Sequence, residues 1–451
     1  MAVFNVIQLS DVRSGFRIDA GFYKEEYLEK EFLLSRLHTL PLWRIAKVTD
    51  GEHGSVSFLN NGIKYLTAEH IKQGFIDHTG ARFVSRDVDQ RNARARVREG
   101  DVLVSIKGTL GEIGLAEKGL LPANMNRDVA IIKPYPNSLL SAYLTAFLRS
   151  KYGAFQLSRE GSGGVQQMIT LERLKCVLIP LLNDDIQREI ATIHQDGLSK
   201  REESVTLYVQ AQQLLESELG LDKLNFQKPV GYSAQFSTVG LSDTFNAGRI
   251  DAQCFAPNAI FYQTWLRDYA RCDRLSHLIQ GMVKGRQQEE TGSSSTDYCS
   301  IKHISGHELT DASKCQPTMD TPVADQDDLL LAITGATIGK IGIVKRYKQL
   351  AFSGDLLCLK ANSEISPHYL LAALDHTIGQ AQFNRWITGS TNGHLPPRDV
   401  GRVLVPRFKE GIEAGIVGLV EESLNKRVES EKLLNQAKTR VEQLIEEALA
   451  Q

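Results

Sequence analysis

The sequence Leu9-Ser10-Asp11, followed by Arg17-Ile18-Asp19-Ala20, recurs as Leu241-Ser242-Asp243, followed by Arg249-Ile250-Asp251-Ala252. Seven of the twelve positions spanned are identical at a constant offset of 232 residues. Further matches follow in the same order along the chain: Tyr65 with Tyr298, His70-Ile71 with His303-Ile304, Gly108 with Gly335, and Tyr143-Leu144 with Tyr369-Leu370. This ordered recurrence indicates a tandem duplication of a unit of about 225–230 residues.

The composition is typical of a globular protein. The chain has 451 residues, of which 42% are hydrophobic and 24% are charged, which excludes a disordered chain and suggests two or three domains. No apolar run approaches the length of a membrane span, and the first residues do not have the pattern of a secretion signal. The six scattered cysteines include no Cys-x-x-Cys pair, so we expect reduced thiols in a cytoplasmic protein.

Each repeat ends in a proline-free tail with helical periodicity. Residues 184–219 and 409–449 place apolar side chains at steps of three and four, and Pro180 and Pro406 shortly precede the two tails. We expect two long helices that form an antiparallel intramolecular coiled coil. The alternative is that each helix covers the core of its own domain. The residues predicted to pack between the helices are Ile186, Ile190, Ile193, Leu207, Leu215, Ile412, Ile416, Leu419, Leu434, Val441 and Leu444.

The segments before the tails predict domains of mixed secondary structure. Short apolar runs predict strands, glycines 108–111 and 335–339 predict tight hairpin turns, and longer patterns predict single helices at 21–37, 139–157 and 369–383. The predicted fold class is α+β, with two mixed α/β domains and two long helices in a pseudo-twofold tandem repeat. The predicted boundaries are 1–180 and 223–406 for the domains, and 181–222 and 407–451 for the helices.

The sequence contains no recognisable catalytic motif. It lacks the glycine-rich phosphate-binding patterns, His-Glu-x-x-His, Gly-x-Ser-x-Gly and an Asn-Pro-Pro-Tyr motif. Asp101 and Lys107 have a spacing found in nuclease sites, but the second repeat has Thr334 in place of the lysine. We therefore expect a non-catalytic protein with two binding domains, without a metal site.

The net charge of −2 is unevenly distributed. Residues 181–222 carry −6 and residues 407–451 carry −2, so the rest of the chain carries +6. Basic residues are dense at 91–98, 284–286 and 345–348. Such patches suit a phosphate backbone, which makes double-stranded DNA the predicted partner. For any single cluster, a solvated loop with no ligand is the alternative.

Polar, glycine-rich loops occupy the same place in both repeats but differ in sequence, at 161–167 and 388–394. In the major groove, Gln and Asn pair with adenine, whereas Arg and Lys pair with guanine. A shared frame with different side chains is what two domains need to read two different half-sites. The residues predicted to bind DNA are Lys64, Arg91, Arg94, Arg96, Lys107, Ser162, Gln166, Gln167, Lys284, Arg286, Gln287, Lys302, Thr334, Ser390, Asn392 and His394.

These features resemble the specificity subunits of type I restriction–modification systems. The resemblance rests on the alternation of domains with long helices, the Arg-Ile-Asp-Ala openings, the Gly-Thr-Leu-Gly and Gly-Ala-Thr-Ile-Gly turns, and the Gly-Ser-Gly-Gly and Gly-Ser-Thr-Asn-Gly loops. It implies two target-recognition domains that each read half of a bipartite DNA sequence, and helices that set the gap between the halves. It also implies docking of two methyltransferase subunits that use S-adenosylmethionine, and an option of ATP-dependent restriction subunits. The chain itself is then expected to bind no cofactor.

Two other functions remain open at this point. One is a stand-alone DNA-modifying enzyme, a nuclease or methyltransferase with a degenerate motif. The other is a coiled-coil scaffold for other proteins, in which the basic loops have no ligand.

Overall fold

A computed structural model describes residues 21–161, 167–221, 238–269, 271–291, 296–389 and 392–450. The chain divides into two compact units: residues 1–201 with 428–451, and residues 202–427. Both boundaries lie inside long helices, so each unit contains one globular domain and a segment of each long helix. The predicted domain boundaries are a different division of the chain and stay predictions.

The first unit begins with a mixed α/β domain. Its elements are α1 (Glu25–Ser35), β1 (Thr39–Pro41), α2 (Leu42–Ile45), β2 (Ala46–Asp50), β3 (Ile63–Leu66), β4 (Arg82–Val84), α3 (Arg86–Arg91), β5 (Val102–Ser105), β6 (Ile113–Leu115), β7 (Ala123–Met125), β8 (Val129–Pro134), α4 (Ser141–Arg149), α5 (Lys151–Glu160), α6 (Leu171–Lys175) and β9 (Leu178–Pro180). The long helix α7 (Asp184–Glu218) follows.

In the described part of this domain, the strands form three small sheets. One has the order β2-β8-β5-β6 with antiparallel neighbours, and a second has the order β4-β3-β7, in which β3 and β7 are parallel. The strands β1 and β9 form an antiparallel pair. All four residues of β5 are buried, as expected for a short apolar strand with neighbours on both sides.

The second unit contains the end of α7, the second domain and the start of the last helix, whose remaining residues belong to the first unit. Its elements are α8 (Leu241–Ala247), α9 (Pro257–Tyr269), β10 (Cys272–Arg274), α10 (Leu275–Leu278), β11 (Ile279–Lys284), β12 (Thr296–Cys299), β13 (Ile304–Ser305), β14 (Glu308–Leu309), β15 (Ser313–Cys315), β16 (Val323–Asp325), β17 (Leu329–Ala332), β18 (Ile341–Ile343), β19 (Gln349–Phe352), β20 (Leu356–Ala361), α11 (Pro367–Asp375), α12 (Thr377–Trp386), α13 (Pro397–Val400), β21 (Leu404–Pro406) and α14 (Glu410–Ala450).

The second domain repeats the strand order of the first. The run β11-β20-β17-β18 corresponds to β2-β8-β5-β6, and β15-β12-β19 corresponds to β4-β3-β7. The parallel contact recurs between β12 and β19, and the antiparallel pair β10-β21 corresponds to β1-β9. The second domain adds β13 and β14 to one sheet and β16 to the other. The duplication predicted from the sequence is therefore confirmed in the fold.

The helices predicted at 139–157 and 369–383 are each broken into two, so the prediction of single helices was wrong. Ser150 and His376 have extended backbones and cap the following helices, because their side chains accept hydrogen bonds from Gly153 N (3.3 Å) and Ile378 N (3.2 Å). A Cβ on Gly153 would lie 2.3 Å from the carbonyl oxygen of Phe147, so the break requires glycine there.

The segments 108–111 and 335–339, predicted to be tight hairpin turns, do connect antiparallel strands, but each belongs to a longer connection. Residues 106–112 connect β5 to β6, and residues 333–340 connect β17 to β18. Gly108 and Gly335 adopt positive φ of 86° and 78° where these connections begin, a backbone region that favours glycine. The connections are long because their backbones also bond to neighbouring loops, as described below.

The two long helices are antiparallel within each unit, as predicted. In the first unit, Ser430 Oγ donates to the carbonyl oxygen of Gly197 (2.6 Å) and Arg440 pairs with Glu189 (2.7 Å). In the second unit, Ser423 Oγ donates to the carbonyl oxygen of Ser204 (2.7 Å). The residue numbers of the contacting pairs decrease along α14 as they increase along α7, so the two helices run in opposite directions. None of the helices in the described residues is long and apolar enough to cross a membrane.

The helices also complete the domain cores, so the two packing arrangements considered from the sequence occur together. The core of the first unit includes Ile190 and Leu434 beside domain side chains, and that of the second includes Leu215 and Ile416. Among the residues predicted to pack between helices, Ile190, Leu215, Ile416, Leu434, Val441 and Leu444 are buried, whereas Ile186, Ile193, Leu207, Ile412 and Leu419 are partly buried.

One arginine from each long helix contacts the globular domain of its own unit. The Arg201 guanidinium lies 3.6 Å from the centre of the Phe75 ring. The equivalent Arg427 donates to Ser305 Oγ (3.0 Å) and lies 3.7 Å from the buried carboxylate of Glu308. Arg201 also lies 3.8 Å from the Asp77 carboxylate, so in both units this arginine lies close to an acid of the globular domain.

We predict that Tyr143→Phe and Tyr369→Phe each destabilise the protein. Both hydroxyls are buried and donate to the carbonyl oxygens of Pro180 and Pro406 at 2.6 Å. The phenylalanine leaves a buried carbonyl without its donor, which costs about 1–3 kcal/mol in the free energy of unfolding. Urea unfolding measures this, with Tyr135→Phe at a half-exposed position as the control. Equal midpoints for all three variants would contradict the prediction.

We also predict that His194→Leu reduces acid sensitivity. His194 is fully buried, and burial with the nearby Arg149 lowers its pKa to about 3. Unfolded histidine gains a proton near pH 6.5 whereas the folded residue does not, so stability falls as the pH drops below 6.5, by about 2 kcal/mol at pH 5. Unfolding midpoints at pH 7.5 and pH 5 measure this loss. The leucine variant should lose less than the wild type, whereas His38→Gln at an exposed position should behave like the wild type.

Candidate nucleic-acid interface

Four segments of the first domain meet where strands β2, β5 and β7 end. Ile106 N donates to the carbonyl oxygen of Asp128 (2.9 Å), and Ile169 N donates to that of Ile106 (3.0 Å). Arg127 N donates to the carbonyl oxygen of Glu52 (3.1 Å). Residues 51–54, 106–111, 126–128 and 167–169 therefore lie side by side, and we call them the first loop surface.

The second domain builds an equivalent surface from the same parts of its fold. Ile333 N donates to the carbonyl oxygen of Asp355 (2.9 Å), and Leu395 N donates to that of Ile333 (2.8 Å). Gly285 N donates to the carbonyl oxygen of Leu356 (3.0 Å). Residues 285–287, 333–339, 353–355, 388–389 and 392–395 form this second loop surface.

The first loop surface carries basic and polar side chains. Lys107 Nζ is 4.0 Å from Asp128 Oδ1, and the lysine side chain is about one-third exposed, at 34%. Arg127 is exposed beside it. Arg94 reaches the same edge, where it donates to the carbonyl oxygen of Gly51 (3.2 Å) while half of its side chain stays exposed. Gln167 is exposed on the neighbouring segment.

The second loop surface presents different side chains on a similar backbone. Thr334 Oγ1 donates to Asp355 Oδ1 (2.5 Å). His394 exchanges two backbone hydrogen bonds of 2.8 Å with Thr388, so these two residues lie side by side. Arg286, Gln287 and Asn392 are exposed, as is Lys284 at the end of β11.

Three residues predicted to bind DNA make contacts within their own domain. Lys64 Nζ donates to the carbonyl oxygens of Leu120 (2.9 Å) and Gly119 (3.2 Å), and burial lowers its pKa. Arg96 Nε and Nη2 donate hydrogen bonds to the Asp89 carboxylate at distances of 2.5–3.2 Å. Lys302 Nζ pairs with Glu290 (3.0 Å).

The structure does not describe all of the remaining residues that were predicted to bind DNA. Arg91 is exposed at the end of α3, outside the segments that define the first loop surface. Ser162, Gln166 and Ser390 lie outside the described residues. DNA contact by every residue in the predicted set stays a prediction.

Three residues at these surfaces were not identified from the sequence: Arg127, Asp128 and Asp355. A signal for the two acids was present, because Asp128 and Asp355 are identical at the offset of 227 that also relates Ile106 to Ile333. Their position beside Lys107 and Thr334 depends on strand pairing between distant segments.

The described residues contain no group of three or more His, Cys, Asp or Glu placed to hold a metal ion. All six cysteines are free thiols, and only Cys176 is exposed. The polar groups at the two loop surfaces can instead donate and accept hydrogen bonds with a ligand that also carries negative charge.

Comparisons with known proteins find a family similar to part of the first unit. Residues 50–201 match the family described as "Type I restriction modification DNA specificity domain". The specificity subunit of the type I restriction enzyme EcoBI from Escherichia coli is 28% identical over 132 residues, which cover 29% of this chain and 28% of that protein. The match thus spans less than a third of the curated relative.

Two solved structures are similar over most of the chain. The S subunit of a type I restriction–modification system from M. genitalium has a TM-score of 0.37 and 14% identity, covering 91% of this chain and 94% of its own. The HsdS subunit from Thermoanaerobacter tengcongensis has a TM-score of 0.30 and 15% identity, covering 91% and 96%.

The resemblance drawn from the sequence is therefore confirmed. Residues 50–201 match the type I DNA specificity domain, and a segment of 132 residues is similar to a curated type I specificity subunit. The second domain repeats the strand order of the first and the two loop-surface hydrogen bonds made by Ile106 and Ile333.

We predict that Arg127→Ala weakens binding to a mixed-sequence DNA duplex and makes it less salt-dependent. An exposed arginine that contacts a phosphate releases about one counterion, so the slope of log K against log salt should decrease in magnitude by about one. Fluorescence anisotropy over a salt series measures the slope. Lys118→Ala is the matched control, because this exposed lysine precedes β7 whereas Arg127 follows it. Identical slopes for the two variants would contradict the prediction.

Proposed function

We propose that the protein is the non-catalytic specificity subunit of a type I restriction–modification system. Each domain binds one half of a split double-stranded DNA target through its loop surface. The observation that carries this proposal is the repetition of one backbone frame with different side chains. In both surfaces, a main-chain hydrogen bond of 2.9 Å joins the equivalent loops, from Ile106 to Asp128 and from Ile333 to Asp355.

The differences between the surfaces lie in the side chains that would face the bases. Lys107 in the first surface corresponds to Thr334 in the second, at the same place after the central strand. A lysine donates to guanine O6 and N7, whereas a threonine hydroxyl both donates and accepts. Two such surfaces would therefore select unlike half-sites, and basic side chains around them would hold the phosphate backbone.

The charge distribution fits this division of roles. The +6 outside the helical tails favours association with DNA, whereas the −8 of the tails does not. In the proposal, α7 and α14 fix the gap between the two half-sites and bind the partner proteins. Those partners are methyltransferase subunits, two per chain, which use S-adenosylmethionine, and restriction subunits that use ATP where the system also cleaves DNA. The chain itself binds no cofactor.

The decisive test is to map methylated bases in cells that carry this protein and its methyltransferase. We predict one split motif with two unlike specific parts and a gap of fixed length, which disappears when the gene for this chain is deleted. A continuous motif, or a motif that persists without this chain, would contradict the proposal. Methylation or cleavage by the purified chain alone would instead favour a stand-alone enzyme.

A further inference from the structure

Each loop surface contains one carboxylate at an equivalent position. Asp128 follows β7 and Asp355 follows β19, and both precede the next strand of the domain by one residue. The main-chain oxygens of these two residues accept the hydrogen bonds that hold the loop surfaces together. These hydrogen bonds use only the backbone of Asp128 and Asp355. The two carboxylates therefore remain available for other contacts.

The two carboxylates lie at the solvent-accessible face of the surfaces. Asp128 Oδ2 accepts a hydrogen bond from Asn126 Nδ2 (2.8 Å), and its side chain is 32% exposed. Asp355 is exposed, and its Oδ1 accepts from Thr334 Oγ1. Each carboxylate oxygen has two lone pairs, so both groups retain capacity for a further donor.

A carboxylate on a surface that approaches DNA is unfavourable in general, because it repels phosphates and lowers affinity for every sequence. It becomes favourable where it accepts a hydrogen bond from a base. In the major groove, cytosine presents its N4 amino group, and this group can donate a hydrogen bond to an Asp or Glu carboxylate. The same acid stands in both surfaces although its neighbour changes from Lys107 to Thr334.

We propose that Asp128 and Asp355 are specificity-determining residues, each accepting a hydrogen bond from the N4 amino group of a cytosine in its own half-site. In the first surface, Lys107 stands beside the acid and can donate to O6 or N7 of the guanine in the same base pair. In the second surface, the Thr334 hydroxyl already donates its hydrogen to Asp355 Oδ1, so it does not supply the guanine contact that Lys107 can make. This inference rests on the proposed function, because it requires each loop surface to enter a major groove.

The test compares Asp128→Asn and Asp355→Asn with matched exposed controls, Asp87→Asn in the first domain and Asp320→Asn in the second. Asparagine keeps the shape of aspartate but replaces one acceptor with a donor. Each full-length variant is bound, together with its methyltransferase, to duplexes in which every position of the mapped target is varied in turn. We expect Asp128→Asn to reduce the preference for one C·G pair about ten-fold or more, within one half-site only.

Asp355→Asn should have the same effect in the other half-site, and the two controls should keep the wild-type preferences. A purely structural role would instead weaken binding to all sequences equally and lower the unfolding midpoint, which would overturn the inference. Changes confined to an A·T pair would overturn the assignment to cytosine. If the wild type shows a split target while both variants keep its base preferences, this inference fails and the proposed function stands. If the wild type shows no split target, the proposed function itself fails.

Discussion

Burial of the apolar stripes of the long helices is the constraint on which both units depend. Ile190 and Leu434 belong to the core of the first unit, and Leu215 and Ile416 belong to that of the second. Each globular domain is therefore completed by segments of both helices, and the limits of the compact units fall inside the helices. Complete burial of a leucine or isoleucine side chain contributes about 1.5–3 kcal/mol, so separating a domain from its helical segments would expose much of its core.

At both loop surfaces, backbone hydrogen bonds place the loops, whereas the side chains are free to differ between the two domains. The backbone bonds between equivalent loops have nearly the same lengths in both domains, and they do not involve the side chains of Lys107, Thr334, Asp128 or Asp355. Substitutions at these positions can change what is recognised without removing the bonds that place the loops. Duplication followed by divergence of such positions would give one chain two different recognition surfaces on one scaffold.

The sequence predicted the duplication, the fold class and the long helices, because the recurrence of motifs in the same order and helical periodicity are both visible in the order of residues along the chain. It did not predict the breaks at Ser150 and His376, because the apolar pattern continues across each extended residue. Nor did it place Asp128 beside Lys107, since that proximity depends on pairing between β5 and β8. For the same reason, Lys64 was taken as a DNA contact although its ammonium group donates to the carbonyl oxygen of Leu120.

The central claim is that each domain reads its own half of one split target. It is tested most directly by a chain in which residues 223–406 are replaced by a second copy of residues 1–180, with both helical tails kept. Mapping of methylated bases in cells that carry this chain and the methyltransferase should show a target whose two halves have the same sequence, with the half-site read by the original second domain lost. An unchanged target with two unlike halves would contradict the account.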